Sequence, residues 1–221
     1  GLGDVYKRQV LSSLHFVAES EFFFRTLEER TMLASVPGSE YLLRGQARNS
    51  LKRKGIRCTS NFMFNAYRAL NKLRIPVYSR FIPLRMFNIS YQGGLLDTQF
   101  VYTARGGFGI PVRKFLEIPA AGAMMICTPP LGFAEMGFVD GVHYVEASPE
   151  DAPGVIMQLS RDLGLAQTMA GKAQQLVWDA HSLSARGAQL RKCLESIQAG
   201  SYQRSSWQAG KFVVEERPCA G

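Results

Sequence analysis

Paired cysteines, clustered histidines and long apolar runs are all missing from this 221-residue chain, and each absence removes a class of protein. Cys58, Cys127, Cys193 and Cys219 lie far apart and form no Cys-x-x-Cys pair, and His15, His143 and His181 are equally scattered. Neither a zinc site nor a disulfide framework fits such spacing. The thiols therefore read as buried or incidental, His143 as a structural residue, and the compartment as a reducing one. No stretch approaches the roughly 18 consecutive apolar residues of a membrane-spanning helix, so the expectation is a soluble, cytoplasmic domain. Residues 1–9 carry charge but lack the apolar region and cleavage site of a signal peptide. They read as a non-native leader, with the natural protein beginning further upstream. The sequence shows no acidic triad for a metal and no internal repeat, and neither a metal nor a cofactor is expected.

What the chain has in excess is positive charge, a formal +8. Lysine and arginine concentrate between Arg44 and Arg57 and again at Arg74, Arg80 and Arg85, while acids gather at Glu19, Glu21, Glu28 and Glu29 and in residues 146–151. A basic stripe attracts nucleic acid, an anionic membrane surface or a phosphate-rich small molecule, and it is equally the pattern of a solvated helix face. No interleaved aromatics of an RNA-binding signature accompany it. Nucleic acid is not expected as a partner; peripheral membrane contact stays open.

Periodicity predicts alternating strands and helices. Strands are expected at residues 11–17, 55–59, 87–91, 99–103, 124–127 and 142–145, and helices at 20–33, 43–54, 62–73, 165–180 and 184–198. Met124 to Cys127 is a short continuous apolar run bounded by Gly and Pro, the pattern of a parallel strand covered on both faces. Ser148 is expected to cap a helix with Pro149 at its first position. Leu190, Cys193, Leu194 and Ile197 follow the spacing of a core-facing stripe. The sum is an α/β, Rossmann-like, doubly wound parallel sheet over residues 10–199, with 200–221 a loosely packed extension.

The densest chemistry lies between strands 99–103 and 124–127. Gly106, Gly107 and Gly109, with Phe108 among them, form a loop whose amides can approach an anion. Pro111 suits a first helical turn, so a helix is expected over 110–121, ended or kinked at Pro119. Arg113 and Lys114 lie in its first turns, and Glu117 shares their face. A carboxylate there accepts two adjacent hydroxyls, as in the vicinal diol of a ribose. The spacing equally suits an Arg113–Glu117 salt bridge of little energetic weight.

The run from Pro111 through Arg113, Lys114, Phe115, Glu117 and Pro119 to Gly122, followed by an apolar strand, resembles the donor-binding half of GT-B glycosyltransferases, most of all the spore-maturation-protein type. Gly132 to Glu135, Asp140 to Val145, Ser148 to Asp151 and the His181 to Arg186 element extend the likeness over residues 88–197. The resemblance implies one Rossmann-like half of a GT-B fold and transfer of sugar from a nucleotide-diphospho-sugar to an acceptor. In it, Glu117 holds the donor ribose, Arg113 and Lys114 neutralise the diphosphate, and Gly106, Gly107, Phe108, Gly109 and Glu135 contribute to donor binding. Arg44, Arg48 and Lys52 are further candidates for the phosphates by position. One departure stands out: where many retaining GT-B enzymes carry a first glutamate, this chain has Gly109. A non-catalytic nucleotide- or carbohydrate-binding module and a nucleotide-sugar epimerase are the alternatives.

Overall fold

A computed structural model describes residues 15–38, 42–58, 70, 72–73 and 91–217. Among these residues the core is a four-stranded, all-parallel sheet of β1 (Met32–Ser35), β2 (Thr98–Ala104), β3 (Met124–Thr128) and β4 (Val145–Glu146), in that spatial order. Around it lie α1 (Leu42–Arg53), α2 (Lys114–Ala120), α3 (Ala152–Leu159), α4 (Leu163–His181) and α5 (Leu183–Gln198), and an antiparallel hairpin of β5 (Tyr202–Gln208) and β6 (Lys211–Glu216) follows. The β2 and β3 side chains alternate between two buried faces. Phe100, Tyr102, Met124 and Ile126 pack with Ala47 and Leu51 of α1 and Ile156 of α3. Val101, Met125 and Cys127 pack with Phe115, Leu116 and Ile118 of α2. With helices on both faces, the middle of each strand is apolar toward both sides, Phe100 to Tyr102 in β2 and Met124 to Cys127 in β3, as the doubly wound pattern requires.

Ala34 of β1 pairs with Phe100 of β2 on one edge and bridges to Cys58 in parallel on the other. The chain thus leaves β1 toward one side of the sheet and later returns to its opposite side. The carboxyl ends of β1 and β2 are a topological switch point, where open α/β sheets bind their ligands.

Several elements differ from the sequence expectation. Residues 20–33 are not a helix: a 3₁₀ turn at Glu19–Glu21 gives way to extended chain and then β1. Arg30 explains the difference. Its guanidinium, buried at 3 % exposure, donates to the carbonyls of Arg25, Leu95, Thr98 and Ala121. Leu95 and Ala121 close two helical segments, so one cation satisfies carbonyls that helix ends leave unpaired. A helix through 20–33 could not deliver it there.

The strand expected at 11–17 is reduced, among the described residues, to a bridge between Val17 and Ser182; residues 11–14 lie outside them, as do 62–69, 74–80 and 87–90. Tyr91 lies in a helical segment that runs through residue 96 and contains Gly93 and Gly94, rather than at the end of a strand. The strand expected at 142–145 is a turn at 141–143 followed by β4. Helix α3 starts at Ala152, three residues beyond Pro149, although Ser148 Oγ does accept the Asp151 amide at 3.1 Å.

The supposed core stripe of α5 faces outward: Leu190, Leu194 and Ile197 are 51 %, 52 % and 45 % exposed, while Cys193 and Ser196 are buried. The hairpin covers the other side of the helix, which is why the periodic residues and the buried ones do not coincide. Nor are residues 202–216 loosely packed. Trp207 stacks on His181 at 4.8 Å and lies beneath the Arg186 guanidinium at 4.5 Å. The Gly210 amide donates to Glu135 O at 2.9 Å.

Candidate functional site

Past the end of β1 the chain turns at Val36, Pro37 and Gly38, and basic side chains hold that turn. Arg48 donates to Val36 O at 2.6 Å and to Gly38 O at 2.6 Å. Lys114, the first residue of α2, reaches across the switch point to donate to Pro37 O at 3.0 Å. Gly38 has a φ of +90°, and a Cβ there would lie 1.5 Å from Lys114 Nζ and 3.2 Å from Arg44 Nη1. Two cations therefore converge on one glycine. Burial and then the Arg44 charge push the Lys114 ammonium down to about 7. An anion entering this place would oppose both causes, since a negative charge beside the Lys114 ammonium favours its protonated form.

The glycine loop lies beside this turn in the topology, following β2. Gly109 N donates to Gly106 O at 2.9 Å, and Gly109 O accepts from Leu131 N at 2.8 Å. Gly109 takes φ +69°, and Leu131 stands 3.1 Å from where its Cβ would be, whereas Gly106 and Gly107 have open space around them. Phe108 is 91 % exposed. The loop does not open directly into a helix as expected. Residues 110–113 are non-helical and α2 spans only Lys114–Ala120. Pro111 biases Ile110 toward extended backbone, and the first helical bonds run to Val112 O and Arg113 O. Helix α2 ends at Ala120, one residue after Pro119, and Gly122 at φ +70° turns the chain into β3.

Arg113 and Lys114 are adjacent in sequence but point to different surroundings. Arg113 Nη1 donates to Glu117 Oε1 at 2.7 Å, and Nη2 donates to both oxygens of Glu21 at 2.6 and 2.7 Å. Its Nε donates to Phe16 O at 3.2 Å. Glu117 Oε2 accepts from the Tyr91 hydroxyl at 2.8 Å. The Tyr91 ring lies 5.2 Å from Lys114 Nζ, so this one side chain joins the two halves of the site. Burial, and next the Glu117 charge, raise the Tyr91 hydroxyl well above its usual range and keep it a donor. A cavity of about 240 Å³ opens here, lined by Glu21, Tyr91, Gln92, Arg113 and Glu117 among others.

Glu135 lies in the exposed turn of residues 131–137. Lys52 lines a separate surface groove with Gln46, Asn49, Arg53 and Glu150. His181 and Arg186 are joined at 2.7 Å between Nη2 and Nδ1. Since arginine only donates, His181 accepts at Nδ1 and donates from Nε2 to Met136 O at 2.9 Å. Burial and then Arg186 push its imidazole down to about 4. This pair packs the hairpin and stands in the core. His143 Nδ1 accepts the Val139 amide at 3.0 Å within its turn.

Glu21, Gly38 and Tyr91 are the site residues that sequence reasoning missed. Glu21 stood in an acidic group and Tyr91 at a strand end, and no spacing ties residues 21 or 91 to residue 117. The Pro37-Gly38 pair is a turn signal visible in the sequence, though nothing local ties it to Lys114.

No protein-family model and no curated protein matches the chain. Its structure is similar to sucrose-phosphate synthase from Thermosynechococcus elongatus, with TM-score 0.52 and 13% identity over 90% of this chain and 57% of that one. It is also similar to Anabaena HepE in complex with UDP, TM-score 0.50 and 13% identity, and in complex with UDP-glucose, TM-score 0.50 and 11% identity; each match covers 77% of this chain and 50% of the other. The chain spans about half the length of the HepE structures it matches. Likeness at such identity is a statement about fold: this chain has the Rossmann-like α/β architecture that forms one half of a GT-B structure.

Proposed function

We propose that this chain is the donor-binding half of a glycosyltransferase that transfers sugar from a nucleoside-diphospho-sugar. The observation that carries the reading is the convergence of Lys114 and Arg44 on Gly38 at the switch point, next to a carboxylate, Glu117, with acceptor capacity to spare. HepE in complex with UDP-glucose supports a nucleotide sugar as the ligand class. In this reading the diphosphate lies against the turn after β1, with the amides of Gly106, Gly107 and Gly109 and the face of Phe108 beside it. Glu117 accepts the ribose hydroxyls. When the bond between the anomeric carbon and the diphosphate oxygen breaks, negative charge grows on the leaving group, and a protonated Lys114 neutralises it. Arg113 holds Glu117 in place from behind, and Glu135 borders the sugar end. A metal is not required where cationic side chains meet that charge. The acceptor and any general base belong to the other half of such a protein, and a peripheral membrane contact remains within the reading.

Gly109 favours a second reading, a non-catalytic nucleotide-binding module. With φ +69° and Leu131 at 3.1 Å, that position has no room for the sugar-contacting side chain found in many retaining enzymes. Calorimetry with UDP, GDP, ADP and CMP on the wild type and Glu117→Ala tests the donor site. One nucleotide is expected to bind selectively, weakened about tenfold in the variant, which corresponds to ~1.4 kcal/mol. Absence of binding by any of the four to a folded sample refutes it. Donor hydrolysis without acceptor separates enzyme from module.

A further inference from the structure

Resting on the donor-site reading above, we infer that Tyr91, Arg113 and Glu21 form a positioning shell that presents Glu117 as a two-pronged acceptor for a vicinal diol. An ionised carboxylate has about four lone-pair sites, two on each oxygen. Arg113 occupies one on Oε1, at 2.7 Å, and Tyr91 occupies one on Oε2, at 2.8 Å. One site is left on each oxygen, the arrangement that two adjacent hydroxyls donate to. With both donors fixed, rotation of the carboxylate would break one bond to improve the other. Glu117 is thereby locked at 15 % side-chain exposure, and a cavity of about 240 Å³ stands in front of it. That volume falls short of the roughly 300–1,000 Å³ typical of whole small-molecule sites and suits a single sugar ring.

Glu21 completes the shell from a distant part of the sequence. It takes Arg113 Nη2 with both its oxygens, at 2.6 and 2.7 Å, and Phe16 O takes Nε. Every nitrogen of that guanidinium is engaged on the Glu117 side, which makes Arg113 a positioning residue and leaves the anion to Lys114. Two carboxylates around one guanidinium also carry a net negative charge. The pocket therefore favours hydroxyl donors and disfavours phosphate, so the ligand's diphosphate and its diol are directed to different places. Tyr91 separates the two, with its ring toward Lys114 and its hydroxyl on Glu117.

The test compares binding of a ribonucleoside diphosphate and its 2′,3′-dideoxy analogue, starting with UDP and dideoxy-UDP and using whichever base the wild type binds. Inorganic diphosphate is measured alongside. The wild type is expected to prefer the ribonucleotide by about tenfold or more, and Tyr91→Phe and Glu21→Gln are expected to reduce that preference to about threefold or less, with inorganic diphosphate binding within about twofold of wild type. A merely structural role lowers affinity for all three ligands together and leaves the preference intact. A wild type that discriminates, with variants that discriminate equally well, overturns the positioning shell while the donor site stands. A folded wild type that binds no nucleotide overturns both.

Discussion

Lys114 carries a charge into a place where charge is expensive. With its ammonium at about 7 in the folded protein and near 10.4 in an unfolded chain, the unfolded state binds more protons throughout that interval. Stability must therefore rise as pH increases from about 7 to 10.4 on account of this residue. Lys114→Met is expected to flatten that slope in urea titrations at several pH values, and an unchanged slope would show that the lysine is not desolvated. If the diphosphate of a nucleotide binds beside Lys114, its binding is expected to take up a proton near pH 8, readable by calorimetry in buffers of different ionisation enthalpy. Gly38 is the complementary test. A side chain there must adopt a left-handed conformation costing roughly 1–2 kcal/mol, and its Cβ would occupy the Lys114 ammonium position. Gly38→Ala should lower stability by about that amount and weaken inorganic diphosphate binding as well. Loss of stability with unaltered diphosphate affinity would separate the turn from the anion site.

Among the elements, the β5–β6 hairpin shows how local chemistry and tertiary contact combine. Its two-residue turn has Ala209 at φ +47° and Gly210 at φ +83°, both left-handed as a type I′ turn demands. Alanine is an unfavourable occupant of the first position and asparagine a favoured one. Ala209→Asn is accordingly expected to stabilise the protein by about 0.5–1 kcal/mol, measured by denaturant midpoint; destabilisation would mean that the turn's contact with Glu135 matters more than its backbone. The second position favours glycine, because φ is +83° there and a Cβ on Gly210 would lie 3.0 Å from the Gly137 Cα. Periodicity found α1, α4, α5, β2 and β3 to within a few residues, since each has enough apolar residues at one period to declare itself. It failed for residues 20–33, where three successive phenylalanines and scattered charges fit a helix as well as a loop. The decisive contact there, Arg30 with carbonyls up to 91 residues away, leaves no mark on local pattern.

At the scale of the whole molecule, a ligand that binds only the folded state stabilises it by mass action. At a hundredfold excess over Kd that amounts to about 2.7 kcal/mol, which for a chain of this size shifts Tm upward by roughly 5–11 °C. A nucleoside diphosphate is expected to produce such a shift, and Glu117→Ala to diminish it at the same concentration. No shift at saturating nucleotide would count against a nucleotide site on this chain. The chain spans about half the length of the HepE structures it resembles.

The sequence by itself determined the class of fold and where along the chain the candidate site residues lie. Strands that are apolar on both faces can only be interior strands of a covered parallel sheet, and glycines followed by a basic pair and a carboxylate mark one end of it. The tertiary structure decided which member of each pair does what. Arg113 and Lys114 are indistinguishable by spacing, yet one is clamped between Glu21 and Glu117 and the other faces Gly38 across the switch point. Glu117 suited both a ribose ligand and a salt bridge; folded, it holds the salt bridge and keeps a lone pair free on each oxygen. The physical reason is range. Hydrophobic period and backbone preference act over a few residues and are written locally, whereas the partners that orient a charged side chain arrive from 26 and 92 residues away, once the sheet has brought them together.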